Sequence, residues 1–303
     1  MTRALVTGAR GFVGRHLVAH LDERGDEVVE VDRECDVTDR DTVARRVLDA
    51  APEVIYHLAA LTHVGESWKD PERTRRVNVE GTANVVAAAR AAGQALVVVI
   101  SSADVYGVVT AADLPLREDH PAAPVSPYAR SKREAELACL EAVRTRGQRV
   151  IVVRPFNHVG PGQAPSFVVP ALATRLLAAR TDGAESIPVG DLTTRRDFSD
   201  VRDVVRAYRL LAEHGVVGQI YNVASGRDVA LSDVAASLVA LIAPGTRLVT
   251  DATLLRPVEV PVLRGSAEKL HGATGWEPTI PWAASLRDVV DDLVARSRGP
   301  QDA

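Results

Sequence analysis

The segment "SPYARSK" at residues 126–132 sets a tyrosine and a lysine one helical turn apart. Ser126 suits an N-cap and Pro127 the first helical position, so a helix is predicted to begin here. Tyr128 and Lys132 then share one face of it. A phenol beside an ammonium and near a helix N-terminus is expected to have a lowered pKa. Such a group can exchange a proton at neutral pH. The same spacing is common on solvated helices, so the pair acquires meaning only if other elements bring reactive groups to it.

Those elements are legible upstream. "ALVTG" (4–8), "DEVVEVD" (26–32), "EVIYHLAA" (53–60), "ALVVVISS" (95–102) and "QRVIVVRP" (148–155) are near-continuous apolar runs. Runs of that kind are strands buried on both faces. Amphipathic segments separate them: "FVGRHLVAHLDERG" (12–25), closed by Gly25, and "TDRDTVARRVLDAA" (38–51), with Thr38 or Asp39 as cap. The pattern predicts an α/β fold, a doubly wound parallel sheet of the Rossmann type. The strand at 95–102 would then deliver Ser102 to the carboxyl edge of the sheet, where ligands bind in this architecture. After residue 160 proline and glycine become frequent and the alternation weakens. The expected division is therefore 1–160 for dinucleotide binding and 161–303 mainly for a smaller substrate-binding portion, with some segments returning to the first.

"TGARGFVG" places Gly8, Gly11 and Gly14 between the first strand and the first helix. A tight turn with close backbone approach to a diphosphate needs residues without Cβ, and the helix N-terminus stabilises the anion. Asp32, at the end of the second strand, can accept hydrogen bonds from the adenosine ribose and disfavours a 2′-phosphate. Arg10 and Arg33 pull the other way, because either can pair with that phosphate. NAD(H) is favoured and NADP(H) stays open. Asp36 is read either as a contact to the adenine amino group or as a helix cap.

The bulk numbers exclude other classes. A net charge of -4 over 303 residues gives no reason to expect nucleic acid or an anionic membrane as partner. The longest apolar stretch, "ALVVVI" (95–100), is far too short to span a bilayer, and the N-terminus lacks signal organisation, so a cytoplasmic protein is expected. Cys35 and Cys139 have no CxxC spacing. His16 and His20 lie four apart on the first helix, but no third ligand completes a metal site and both are read as structural. His158 follows Asn157 in a loop where a neutral imidazole could hydrogen-bond a sugar or a nicotinamide amide.

The glycine loop, Ser102, and Tyr128 with Lys132, together with "HLAA" (57–60) and "VNVEGT" (77–82), resemble in order and spacing the extended short-chain dehydrogenase/reductase family. The resemblance covers essentially the whole chain. It implies a nicotinamide coenzyme, a nucleotide-diphosphate sugar as substrate and a homodimer built on helices near 80–92 and 128–146. It assigns proton exchange to Tyr128, binding of the nicotinamide ribose to Lys132, and a hydrogen bond on the reacting oxygen to Ser102. Coenzyme contacts are implied for Gly8, Arg10, Gly11, Phe12, Val13, Gly14, Asp32, Arg33, Asp36, Val37, Leu58, Ala59, Ala60, Asn78 and Pro155. Asn78 is also expected to support the site structurally.

Within that family, "RPFNHVGPGQ" (154–163), "VGDLTTRRDFSDVRDV" (189–204), "LRPVEVPVLRGS" (255–266) and "TGWEPTIPW" (274–282) look most like GDP-4-keto-6-deoxy-D-mannose reductases. Asn157, Arg196, Arg256 and Glu259, with Ser102 and Asp104, would contact the sugar nucleotide, a GDP-sugar being favoured. Arginine suits a diphosphate because its planar fork donates two parallel hydrogen bonds. Asp200 is expected to cap the helix that follows it.

A 4,6-dehydratase needs a further acid and base beside Ser, Tyr and Lys, supplied in such enzymes by the two residues after the serine. Here those are Ala103 and Asp104. Alanine can neither donate a proton nor orient water, and aspartate is one methylene shorter than glutamate. Reduction of a 4-keto group therefore ranks first and 4-epimerisation with retained NAD second. A nucleotide-sensing regulator on the same fold is disfavoured because both Tyr128 and Lys132 are present.

Overall fold

The computed structural model describes residues 1–255 and 260–297. Arg256 and Glu259, two of the substrate contacts expected from the sequence, lie outside the described residues.

Along the chain the elements are β1 (Arg3–Thr7), α1 (Phe12–Glu23), β2 (Glu27–Val31), α2 (Arg40–Ala50) and β3 (Val54–His57). Two short helices, α3 (Val64–Ser67) and α4 (Pro71–Arg75), lead through a π-helical turn (Arg76–Glu80) into α5 (Gly81–Ala91). β4 (Leu96–Ile100), α6 (Pro127–Arg146) and β5 (Val150–Pro155) follow. Then come β6 (Asn157–Val159), α7 (Val168–Asp182), β7 (Ser186–Val189), β8 (Arg195–Asp200), α8 (Val201–His214) and β9 (Ile220–Val223). The last are β10 (Asp228–Ala230), α9 (Leu231–Ile242), β11 (Arg247–Thr250), β12 (Val262–Leu263), α10 (Glu268–Thr274) and α11 (Trp282–Ser297).

The central sheet has six strands in the order β2-β1-β3-β4-β5-β9, every pair parallel. Its apolar runs are explained by burial on both faces. Ala4, Val6, Val98 and Val153 join α1, α8 and α10 in one core. Leu5, Ile55, Val97 and Val152 join α2, α5 and α6 in the other. The fold is thus the doubly wound parallel sheet expected from the sequence, and its topological switch lies between β1 and β3.

A third core joins α7, α9 and α11 over β7 and β8. There β8 is flanked by antiparallel β10 and parallel β12, and β6 also pairs with it. The chain between these two regions is interleaved: α8 packs on the central sheet, and β9 becomes its edge beside β5.

Local signals set the element ends. Asp39, not Thr38, caps α2, accepting from Asp41 N and Thr42 N. Ser126 caps α6 by accepting from Ala129 N at 3.1 Å, with Pro127 in the first turn. Asp200 caps α8 through Arg202 N.

Trp276 fastens the C-terminal part to α8: it is 1% exposed, and its Nε1 donates to Asp203 O at 2.9 Å. The Asp203 carboxylate receives Thr279 N, Thr279 Oγ1 and Ile280 N. Trp276→Ala is expected to cost about 3–5 kcal/mol, read as a lower urea midpoint with an unchanged denaturant slope.

Candidate active site at the carboxyl ends of the central strands

The loop between β1 and α1 is closed by contacts that a side chain would prevent. Gly8 has φ of 71°, and a Cβ there would stand 2.9 Å from Ala59 N. A Cβ on Gly14 would stand 2.1 Å from Gly8 O. The β1–α1 loop is thereby pressed against Leu58 and Ala59 beyond β3, while Gly11 caps α1. Phe12 and Val13 turn inward against the core, and Phe12 stacks on His158 at 6.0 Å. The result is a glycine-lined cradle at the N-terminus of a helix at the sheet's switch point, a shape and polarity that fit a dinucleotide diphosphate.

Around the end of β2 the carboxylates are organised. Asp32 accepts from Arg10 N at 2.8 Å and Arg33 N at 2.9 Å, both backbone amides. Glu34 accepts from Asp32 N at 3.0 Å and pairs with the Arg10 guanidinium at 3.4 Å. Its own amide, that of Asp32 and then Arg10 hold the Glu34 carboxyl below the usual range. Arg33 is exposed. Asp36 closes a turn on Thr38 N and Oγ1. Val37 is buried against Gly81, where a Cβ would meet its Cγ2 at 2.6 Å.

Ser102, Tyr128 and Lys132 come together as the sequence spacing implies, Ser102 just past β4 and the other two in the first turns of α6. Tyr128 is 7% exposed, with the Ser102 hydroxyl near enough to its phenol to favour the phenolate. Lys132, also 7% exposed, donates from Nζ to Ile100 O at 2.8 Å. The expectation of a lowered phenol pKa is overturned. Burial and then the nearby Asp104 carboxylate push the phenol upward, and the Ser102 hydroxyl only partly opposes them. Burial also lowers Lys132 to about 8, against the attraction of Glu136. Tyr128 is therefore protonated at neutral pH.

Asn78 lies in the π-helical turn with a buried side chain that is fully engaged. Its Oδ1 accepts from Leu61 N, and its Nδ2 donates to Leu61 O and Ser131 Oγ. Both amide hydrogens go to the protein, so Asn78 braces the site structurally. His57, unassigned from sequence, extends this brace. Thr82 Oγ1 donates to Asn78 O and so accepts from His57 Nε2, leaving Nδ1 to accept from Thr7. Burial, then Lys132, depress the imidazole to about 3, so it stays neutral.

On the far side of the cleft, Pro155 ends β5 and Asn157 opens β6, in register with Phe198 on β8. Arg196 lies on β8 opposite Leu263 and Val229. Asp104 sits in the short turn Ala103–Tyr106 immediately after Ser102. His158 Nδ1 donates to Phe156 O at 3.0 Å, and His16 Nε2 donates to Pro161 O at 2.8 Å. Sequence reasoning missed Ser101, Glu136 and Arg154, which form a buried ion-pair network behind the site. A signal did exist: Glu136 is two turns beyond Tyr128 on the same helical face.

Comparison with known proteins agrees with this geometry. The model of the NAD dependent epimerase/dehydratase family matches residues 4–224. The chain is 40% identical over 301 residues to GDP-6-deoxy-D-mannose reductase of Pseudomonas aeruginosa, covering 98% of both. Its fold matches the structure of RMD from Pseudomonas aeruginosa complexed with NADPH, with a TM-score of 0.90 and 39% identity over 98% of this chain and 100% of that one. It also matches the Thermus thermophilus UDP-glucose 4-epimerase in complex with NAD, with a TM-score of 0.85 and 29% identity over 99% and 100% of the two chains. From the glycine cradle, the Ser102–Tyr128–Lys132 arrangement and this full-length similarity, it follows that the chain belongs to the NAD dependent epimerase/dehydratase family.

Proposed function

We propose that the protein reduces the 4-keto group of a nucleotide-diphosphate 4-keto-6-deoxy sugar, GDP-linked by preference, with Tyr128 as proton donor. The observation that carries the reading is the proton inventory beside Ser102. Tyr128 is buried and held protonated, and its neighbour along the turn is Ala103, which can supply no second acid. Reduction needs one proton and no base, whereas epimerisation must begin by deprotonating a hydroxyl and dehydration needs an additional acid–base pair. Similarity over 98% of the chain to a GDP-6-deoxy-D-mannose reductase points the same way.

In this reading the nicotinamide coenzyme, when bound, supplies the hydride to C4. Gly8, Arg10, Gly11, Phe12, Val13 and Gly14 hold its diphosphate, and Asp32, with the loop of Leu58, Ala59 and Ala60, flanks the adenosine and nicotinamide halves. Ser102 orients the carbonyl oxygen. Tyr128 Oη gives that oxygen its proton, and the Lys132 ammonium stabilises the phenolate left behind until solvent reprotonates it. Asn157 and Arg196 serve the sugar nucleotide, as would Arg256 and Glu259. Residues 1–160 are assigned chiefly to the coenzyme and 161–303 mainly to the nucleotide sugar, with α8 and β9 returning to the first. We further infer a cytoplasmic homodimer pairing α5 and α6, on which Leu137 is 51% exposed. Among the described residues no helix is long and apolar enough to cross a membrane.

NADH is inferred as the preferred coenzyme. Asp32 faces the ribose position, and Glu34 occupies the Arg10 guanidinium that would otherwise attract a 2′-phosphate. The 4-epimerase reading is second, favoured by this same acidic rim because it suits an enzyme that retains NAD.

The test is coenzyme oxidation with GDP-, dTDP-, UDP- and CDP-linked 4-keto-6-deoxy sugars. Oxidation with the GDP sugar supports the proposal, and interconversion of C4 epimers without added coenzyme would replace it by the epimerase. Tyr128→Phe should lower kcat by at least about a hundredfold while coenzyme binding persists. Because Lys132 is needed as the cation, turnover should fall as pH rises through about 8, where that ammonium loses its proton. Glu34→Gln, by releasing Arg10, is expected to shift the ratio of NADPH to NADH affinity roughly tenfold toward NADPH in a fluorescence titration.

A further inference from the structure

Helix α6 carries Tyr128, Lys132 and Glu136 at successive one-turn intervals, so all three face the exit of β4. That exit is tied to the helix at two adjacent residues. Lys132 Nζ donates to Ile100 O at 2.8 Å, and Ser101 Oγ donates to Glu136 Oε1 at 2.6 Å. Ser101 N also donates to Val153 O at 2.7 Å, which fixes it to β5. The next residue is Ser102.

Glu136 is fully buried and its carboxylate is saturated with donors. Oε1 receives Ser101 and Arg154 Nε, and Oε2 receives Arg154 Nη2 and Arg133 Nη1, the last three at 2.8 Å. Burial opposes its ionisation, yet the hydrogen bonds and charge of Arg154 hold the carboxyl below the usual range. Arg154, 2% exposed, reaches the other side of the Ser102 turn. Its guanidinium lies over the Tyr106 ring at 4.8 Å, and Nη1 donates to Glu118 O at 3.3 Å. Tyr106 closes the turn Ala103–Tyr106, and its hydroxyl donates to Asn222 at 2.8 Å. One buried ion pair therefore grips both ends of the segment that presents Ser102: Ser101 before it and Tyr106 after it.

We propose that Ser101 and Glu136, backed by Arg154, are positioning residues that set the distance between the Ser102 hydroxyl and the Tyr128 phenol for proton transfer. This rests on the reading of Tyr128 as proton donor. A buried ion pair is a weak source of net stability, because the desolvation of both charges offsets their attraction. What this one supplies is fixed geometry between a strand exit and a helix, to which catalysis is sensitive at the ångström level.

The experiment uses the full chain with Ser101→Ala, Ser101→Thr, Ser102→Ala, the double variant Ser101→Ala/Ser102→Ala, and Tyr128→Phe. Ser101→Ala removes one hydrogen bond while leaving Glu136 its arginine partners. It should lower kcat roughly tenfold with NADH affinity changed by less than about twofold, and Ser101→Thr should restore turnover. In the Ser102→Ala background the Ser101→Ala change should have no further effect, because the hydroxyl it positions is gone. A second readout needs no turnover: with 13Cε-lysine labelling, the Lys132 resonance should move in Ser101→Ala while those of Lys69 and Lys269 stay fixed. An unmoved Lys132 resonance together with wild-type kcat overturns the clamp, as does an equal loss in the Ser102→Ala background. Full turnover in Tyr128→Phe overturns the underlying reading instead, and the Lys132 resonance then still reports on the clamp.

Discussion

Water is excluded from both faces of the central sheet, and the rest of the molecule is arranged around that exclusion. Alternate residues of β1, β3, β4 and β5 enter one of two cores, so the middles of these strands are apolar and their buried polar residues, Thr7, His57 and Arg154, stand at or beside the carboxyl ends. Reactive side chains are confined to where the strands end. The glycine loop leaves β1, the Leu58–Ala60 loop leaves β3, Ser102 follows β4, and Asn157 follows β5. Six parallel strands bring all of these exits to one edge, which α6 then crosses with Tyr128 and Lys132.

The same exclusion governs the electrostatics. Charge in a dry environment is stabilised only by specific partners, and the site distributes them unequally. Glu136 has four donors and stays ionised, Lys132 has one carbonyl and weakens as a base, and Tyr128 faces a hydroxyl and a carboxylate and keeps its proton. His57, enclosed by two threonines, stays neutral. Each state follows from which neighbours the fold supplies. At the outer rim the same logic works in water: Glu34 takes hold of Arg10, and an arginine that could serve a phosphate becomes part of an acidic edge.

Local chemistry made much of this legible in advance. Ser126 and Pro127 start α6 because a side-chain acceptor and a pre-set backbone angle need no tertiary help. Gly8 and Gly14 mark a turn because a Cβ there would collide with backbone. The apolar runs identified buried strands, and Ser102 at the end of one of them was placed correctly by periodicity alone. Less legible were Ser101, Glu136 and Arg154, since their partners lie far apart along the chain and each type alone reads as an ordinary surface residue. Asn78 was legible as a support of the site, but that its amide bonds Leu61 and Ser131 came only from the fold.

What the sequence by itself determined was the order of elements and the set of groups able to do chemistry, because caps, turns and periodicity depend on neighbours within a few residues. What only the tertiary structure decided was the state of those groups. A phenol one turn from a lysine looks acidic on an isolated helix in water. Packed against β4 and beside Asp104 it becomes a retained proton, because desolvation and a facing carboxylate come from elements distant in the chain and outweigh the local attraction.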